Sequence, residues 1–162
     1  MPPTPLNPTS RFTPPGVRKI YWLPAIAAYA TGATRTEING GIDLTNEVAG
    51  VTGFTVASNS VEVPDLSSRF SARVPGRITA ADPSSLMFYQ DQTSNDVRGV
   101  LPRDTAGFTA FLWEGDISGR KYDIFPVKVS SVSPQGDMEN PQQTEVAFSI
   151  TRVPAQNLVV PP

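Results

Sequence analysis

The chain has no histidine and no cysteine among its 162 residues. Without imidazole or thiolate there is no Cys-ligated zinc, no haem on an axial histidine, no Ser-His-Asp or Cys-His nucleophile, no disulfide and no histidine pH switch. Lysine is scarce as well. Lys19, Lys121 and Lys128 stand in charged or polar sequence, without the apolar surroundings that turn an amine into a nucleophile. An excess of one charge is also lacking: 13 Lys+Arg against 15 Asp+Glu leave a net charge of −2, whereas a protein that reads nucleic acid carries a basic face. Long hydrophobic runs are missing too. The most apolar stretch, Tyr21 to Ala30, is too short for a membrane span, is interrupted by Pro24, and follows a Pro-rich leader instead of the charged start of a secretory signal. No membrane insertion is expected, and the chain is expected to act where it is made, in a cytoplasm, or to leave by a route other than a signal peptide.

What is present is enough to fold. Val, Ile, Leu and Phe total 40 of 162 residues, above the ~20% level below which chains stay disordered. The length suits one domain with arms, and at this size about 70% of the unfolded chain's surface can be buried. Proline is in excess, with 17 residues, six of them within the first 15. Both ends, Met1 to Gly16 and Pro154 to Pro162, are Pro-rich and carry only Arg11 as a charge, a composition that favours extended conformations and buries little. We therefore divide the chain into an N-terminal arm (1–16), a single β domain (17–153) and a C-terminal tail (154–162).

Within the domain the pattern is mostly β. Val, Ile and Thr number 39, while Lys and Glu, the usual exposed helix formers, number nine. The clearest alternation is Thr144 to Val153, with Val146, Phe148 and Ile150 on one face. Similar runs occur at 17–23, 51–58, 86–90, 108–113 and 121–132. In the last of these Phe125, Val127 and Val129 share a face, and Pro126, which has no ladder donor, argues for an edge position or a bulge. One amphipathic helix of two turns is expected, capped by Thr93 or Ser94, with Asp96 in its first turn, Val97, Val100 and Leu101 on one side, and Pro102 ending it. A single helical turn is a second candidate at Thr34 to Asn39, where Thr34 and Glu37 have capping-box spacing and Gly40-Gly41 follow. About six strands and one real helix result. The segment 59–83 carries Pro64, Pro75, Gly76 and Pro83, yet alternates Phe70, Ala72 and Val74 against Arg69, Ser71 and Arg73. So long a segment inside a compact domain is unusual unless it is functional, and we read it as a projecting hairpin or arm.

Catalytic chemistry is hard to find in what remains. Glu114 and Asp116 form the nearest carboxylate pair, but acids around a glycine between two strands are usually turn residues. Asp91, Asp96 and Asp104 are too scattered for a calcium loop. Gly50 to Gly53 and Gly115 to Gly119 lack the Lys-Ser/Thr of a phosphate loop. Arg69, Arg73 and Arg77 form a local basic patch, which reads as a solvated edge guarded against aggregation, as pairing with acids on a neighbouring subunit, or as a phosphate contact. The aromatics Tyr21, Trp22, Trp113 and Tyr122 read as core and interface packing. No enzyme, metal or cofactor is expected.

Four runs carry a resemblance to a known family: Thr13-Pro-Pro-Gly-Val-Arg-Lys-Ile-Tyr-Trp-Leu-Pro, Thr34-Arg-Thr-Glu-Ile-Asn-Gly-Gly-Ile-Asp-Leu-Thr, Pro64-Asp-Leu-Ser-Ser-Arg-Phe and Asp96-Val-Arg-Gly-Val-Leu-Pro-Arg. From about residue 11 to residue 132 the chain resembles the major tail (tail tube) proteins of long-tailed, siphovirus-like bacteriophages, particularly those of actinobacteria. The resemblance implies a mainly β fold, two packed antiparallel sheets in a sandwich- or barrel-like arrangement with one short flanking helix and extended terminal arms. It implies rings of six subunits whose inner sheets join, stacked into a tube through which DNA leaves the virion without specific binding. It also implies a tape measure protein, a tail terminator and a distal tail protein as partners, with the virion tail as location and the host cytoplasm during assembly. A mildly acidic wall suits a conduit, because Lys/Arg contacts to phosphate generate most non-specific affinity for DNA. For the subunit and ring interface the expected residues are Arg11, Phe12, Arg69, Phe70, Arg73 and Arg77. A head decoration or connector protein and a β-sandwich carbohydrate-binding module remain alternatives.

Overall fold

The computed structural model describes residues 13, 15–67, 69–90, 97–136 and 141–162. Ten strands and two short helices run in the order β1 (Lys19–Leu23), α1 (Arg35–Asn39), β2 (Ile42–Asp43), β3 (Val48–Thr52), β4 (Val56–Val63), β5 (Ala72–Ala80), β6 (Ser84–Tyr89), α2 (Val97–Val100), β7 (Ala106–Leu112), β8 (Lys121–Gln135), β9 (Gln143–Ile150) and β10 (Ala155–Val159). The chain is mainly β, with two antiparallel sheets. The larger follows the path β2-β1-β7-β8-β9-β6-β3, with β10 also on β8, and the smaller is the hairpin β4-β5.

The large sheet curls on itself. Its two end strands, β2 and β3, are joined by the short connection 44–47, so the ends of the path lie close together. Trp22 on β1 and Phe148 on β9 are three strand positions apart, about 14 Å in a flat sheet, yet their rings lie 6.3 Å apart. The concave side holds the main core: Trp22, Leu86, Phe88, Phe111, Phe125, Val127, Val129, Val146 and Phe148, closed by Phe54 and by Val97 and Leu101 around α2. Phe125, Val127 and Val129 share this side, as their spacing predicts.

The convex side is also covered, at the β1-β7-β8 end. Phe108, Ala110 and Leu112 of β7 alternate with Thr109 and Phe111 and join Leu23, Ile38, Tyr122, Ile124 and Val160 in a second cluster. Helix α1 places Ile38 there. Its capping box forms, with the Glu37 carboxylate accepting from the Thr34 backbone N–H at 2.7 Å and also from Ala27 N–H at 2.7 Å. Among the described residues there are therefore two helices. Of the segment expected as the principal helix, the described residues form the single turn Val97–Val100, and the capping residues Thr93, Ser94 and Asp96 lie outside them.

Three expectations change with the strand pairing. The run 51–58 is one strand in the sequence pattern, but Gly53 (φ 75°) and Phe54 (φ 54°) break it into β3 and β4. Pro126 is buried inside the long strand β8 and not at an edge. On the edge of β8 where its donor is missing the partner changes, from β10 (opposite residues 121–124) to β9 (opposite 127–135), and the Pro126 carbonyl accepts from Thr151 N–H at 2.9 Å. A missing donor at that changeover leaves no ladder bond unmade. For the same reason residues 155–159 of the expected Pro-rich C-terminal tail (154–162) are part of the sheet: β9 and β10 lie end to end along β8, and Val160 is 1% exposed. Of the N-terminal arm, residues 1–12 and 14 lie outside the described residues.

Candidate assembly surface

The hairpin β4-β5 leaves the curled sheet as a two-stranded ribbon. It begins where β3 ends, and its root is built by residues with unusual backbone demands. A Cβ on Gly53 would lie 2.7 Å from the Ser84 Cα and 2.8 Å from the Pro83 carbonyl oxygen, so only glycine passes there. The next residue, Phe54, turns into the core and meets Phe111, Phe125 and Phe148 at ring distances of 4.8, 5.5 and 5.9 Å. Its backbone N–H donates to Ser84 Oγ, and Ala81 N–H donates to the Thr55 carbonyl at 2.8 Å.

Beyond the root the ribbon is exposed on both faces. Its register pairs Val61 with Val74, Val63 with Ala72, and Glu62 with Arg73. Alternation therefore gives one face to Val61, Val63, Ala72 and Val74 and the other to Ser60, Glu62, Arg73 and Pro75. On the polar face Arg73 Nη2 lies 4.0 Å from Glu62 Oε2. On the apolar face Val61 and Val74 are 55% and 51% exposed, more than a core strand leaves open. A bulge sets Gly76 and Arg77 against Asn59, and a Cβ on Gly76 would lie 2.7 Å from the Asn59 carbonyl oxygen. At the tip Phe70 is 77% exposed.

The structure thus gathers four of the six expected interface residues, Arg69, Phe70, Arg73 and Arg77, on one projecting element. Arg11 and Phe12 lie outside the described residues. The alternation of Ala72 and Val74 shows the β5 half of the apolar face in the sequence; the β4 half was missed, although the spacing Val61-Glu62-Val63 carries it, because Pro64 immediately after broke the pattern.

The carboxylates considered for catalysis are engaged structurally. Glu114 pairs with Arg120 at 3.2 Å, and Asp116 is held by Arg35, with Nη2 to Oδ2 at 3.0 Å, and by the Tyr21 hydroxyl, which donates at 3.2 Å. Hydrogen bonding from Arg35 holds the Asp116 carboxyl below its ordinary value. Burial, and then the Asp116 charge, push the Tyr21 phenol up to about 12. This cluster ties α1 to the turn after β7. Among the described residues no group of three or more acidic side chains could hold a metal ion. Trp22 is buried in the core, and half-buried Trp113 is covered by the Arg18 guanidinium at 4.6 Å, so neither offers an open platform for a sugar ring.

The exposed, two-faced ribbon that leaves the curled sheet is a surface suited to contact with another chain. The model of the phage tail tube protein family matches residues 5–162. The chain belongs to the phage tail tube protein family. As a tail tube protein it is a structural component of a virion tail, and it self-assembles there. A solved structure, the virion of a native gene transfer agent particle, shares the fold at a TM-score of 0.52 and 11% identity, over 73% of this chain and 89% of that one. No curated protein matches this tail tube protein. None of its described helices is long and apolar enough to cross a membrane.

Proposed function

We propose that the protein polymerises as stacked rings of six subunits, forming the conduit for genome delivery, and that the β4-β5 hairpin is its principal contact with a neighbouring copy. The hairpin itself carries this reading: a ribbon with three uncovered valines on one face and arginines along it has no cover among the described residues of its own subunit. Edge strands and exposed apolar ribbons are aggregation hazards that proteins normally blunt; in an assembling protein they are the device that joins subunits. Contacts between unlike surfaces that close give a ring, and a translated repeat of the subunit gives the stack.

In this reading Arg69, Phe70, Arg73 and Arg77 contact an adjacent subunit or ring, and the arm 1–16, with Arg11 and Phe12, braces a neighbour. The wall is non-enzymatic and mildly acidic, so DNA passes without being held. A tape measure protein, a tail terminator and a distal tail protein are the partners the family reading adds. Negative-stain microscopy of the purified full chain tests it: tubes or stacked six-fold rings are expected, and a uniform population of monomers or trimers under assembly conditions would overturn it.

A further inference from the structure

If the hairpin is the donor surface, the acceptor must lie elsewhere on the same chain, and the charges left over after intrachain pairing indicate where. Most described cations have a partner. Lys19, Arg35, Arg73, Arg120 and Lys128 pair with carboxylates, Arg18 and Arg152 lie on aromatic rings, Lys121 donates to the Asn157 carbonyl, and Arg103 neighbours Asp104. Arg98 is also engaged. Among the described residues two arginines, Arg69 and Arg77, remain without a partner, and both are on the hairpin. Two carboxylates remain as well, Glu47 and Asp82, and both are exposed.

Those two carboxylates bracket one strand. Glu47 precedes β3, while Asp82 lies past its other end, beside the Ala81 N–H that bonds Thr55. Strand β3 ends the sheet path and hydrogen-bonds only to β6 among the described residues. Among the described residues its other edge is unpaired. Between β3 and the opposite end of the curl lies a cleft of about 390 Å³, walled by Pro15, Arg18 and Ile20 on one side and by Val48 and Val51 on the other. Arg18 Nε is buried there without an acceptor among the described residues. A buried donor in that state favours the arrival of an acceptor from outside.

We infer that the open seam along β3 receives the β4-β5 hairpin of a second copy. The inference rests on the hairpin being the donor. The incoming ribbon lies along the unpaired edge of β3, its apolar face against the cleft wall and Arg69 and Arg77 toward Glu47 and Asp82. Seven residues lie between the two arginines along the chain, and the two carboxylates lie beyond the two ends of the five-residue strand β3. The ribbon face is small. Two strands about 4.8 Å apart over eight residues cover about 260 Å², well below the ~800 Å² per partner of a stable pairwise complex. The contact therefore holds only when several subunits engage together, and polymerisation is cooperative without a stable dimer.

The native absence of cysteine makes the test clean. Four double variants of the full chain, each combining Glu47→Cys or Asp82→Cys with Arg69→Cys or Arg77→Cys, are oxidised under assembly conditions and run on denaturing gels. A ladder of disulfide-linked multimers from at least one pair is the expected result; tubes that form without any ladder overturn the β3 acceptor. Should the cysteine variants fail to assemble, the charge exchanges Arg77→Glu with Glu47→Arg and Arg77→Glu with Asp82→Arg decide together, recovery being sought in either. Recovery to at least tenfold more sedimenting polymer than Arg77→Glu alone supports the contact, and no recovery overturns it. The hairpin reading fails separately: it falls only if Arg69→Glu/Arg77→Glu assembles like the parent protein.

Discussion

The backbone N–H of Phe54 donates to the hydroxyl of Ser84 at 3.1 Å, and this bond fastens the projecting hairpin to the curled sheet. Ser84 is fully buried, and its Oγ donates in turn to the Ala81 carbonyl at 3.0 Å. One side chain thus ties the residue entering the hairpin to the residue leaving it. The hairpin is a rigidly rooted lever whose outer part is free of the core.

Phe54→Ala should remove the aromatic plug of the core and cost about 3–5 kcal/mol. For a chain of this size that corresponds to a fall in Tm of about 6–20 °C. Thermal unfolding followed by circular dichroism checks it; an unchanged Tm would show that Phe54 is not packed as described.

Gly76→Val acts on the ribbon alone. The new side chain would meet the Asn59 carbonyl and the Val61 Cγ2, 2.7 and 2.9 Å from its Cβ. Faster amide exchange across β4 and β5 is expected, with poorer tube yield and a Tm within about 2 °C of the parent, since exposed sites far from the core cost little. Slowed exchange in the hairpin would contradict this.

Asp116→Asn probes the link between α1 and the turn after β7. Because Arg35 holds the Asp116 carboxyl below its ordinary value of 3.8, the contribution of the pair is complete above that value. It is lost as pH falls through the lower folded value. The variant should be about 1 kcal/mol less stable near neutral pH, as for a partly exposed pair, and the difference should shrink under acid. Urea unfolding from neutral pH down through the carboxylate range reads both.

Arg69→Glu/Arg77→Glu should leave the monomer fold intact and abolish stacking, because neither side chain has a partner within the described subunit. Sedimentation and circular dichroism on the same sample separate the two effects. Normal tubes would place the interface elsewhere.

Deleting residues 2–14 should weaken polymerisation without unfolding the β domain, whose described core is built from residues between Ile20 and Val160. Undiminished tube formation would count against a bracing role for Arg11 and Phe12.

Where one residue type decided the local structure, the sequence was readable. Phe125, Val127 and Val129 alternate because one face of β8 is buried, and Thr34 and Glu37 stand three apart because a capping box requires it. The arginines of the hairpin were visible by their spacing around Pro75 and Gly76. Features that depend on partners distant in sequence were not legible. Pro126 looks like an edge residue until β9 and β10 are seen to meet opposite it. The residues 155–159 alternate too weakly to announce a strand, and their place on β8 follows from continuing β9. The break at Gly53 and Phe54 is set by the close approach of Pro83 and Ser84, 30 residues away along the chain. The unpaired edge of β3 could be found only after the strand order was known.

Arg18 connects the open seam to one of the two tryptophans. Its guanidinium rests on Trp113, whose indole N–H is held by Asp123 at 2.6 Å, while Trp22 is enclosed in the core. The protein therefore carries its own optical gauge. An occupant of the seam that engages Arg18 alters the charge and polarity over the Trp113 ring, and Trp22 supplies a constant background. On the inference that the seam fills during polymerisation, assembly should be readable in real time as a change in Trp113 emission, with no dye attached and no residue replaced.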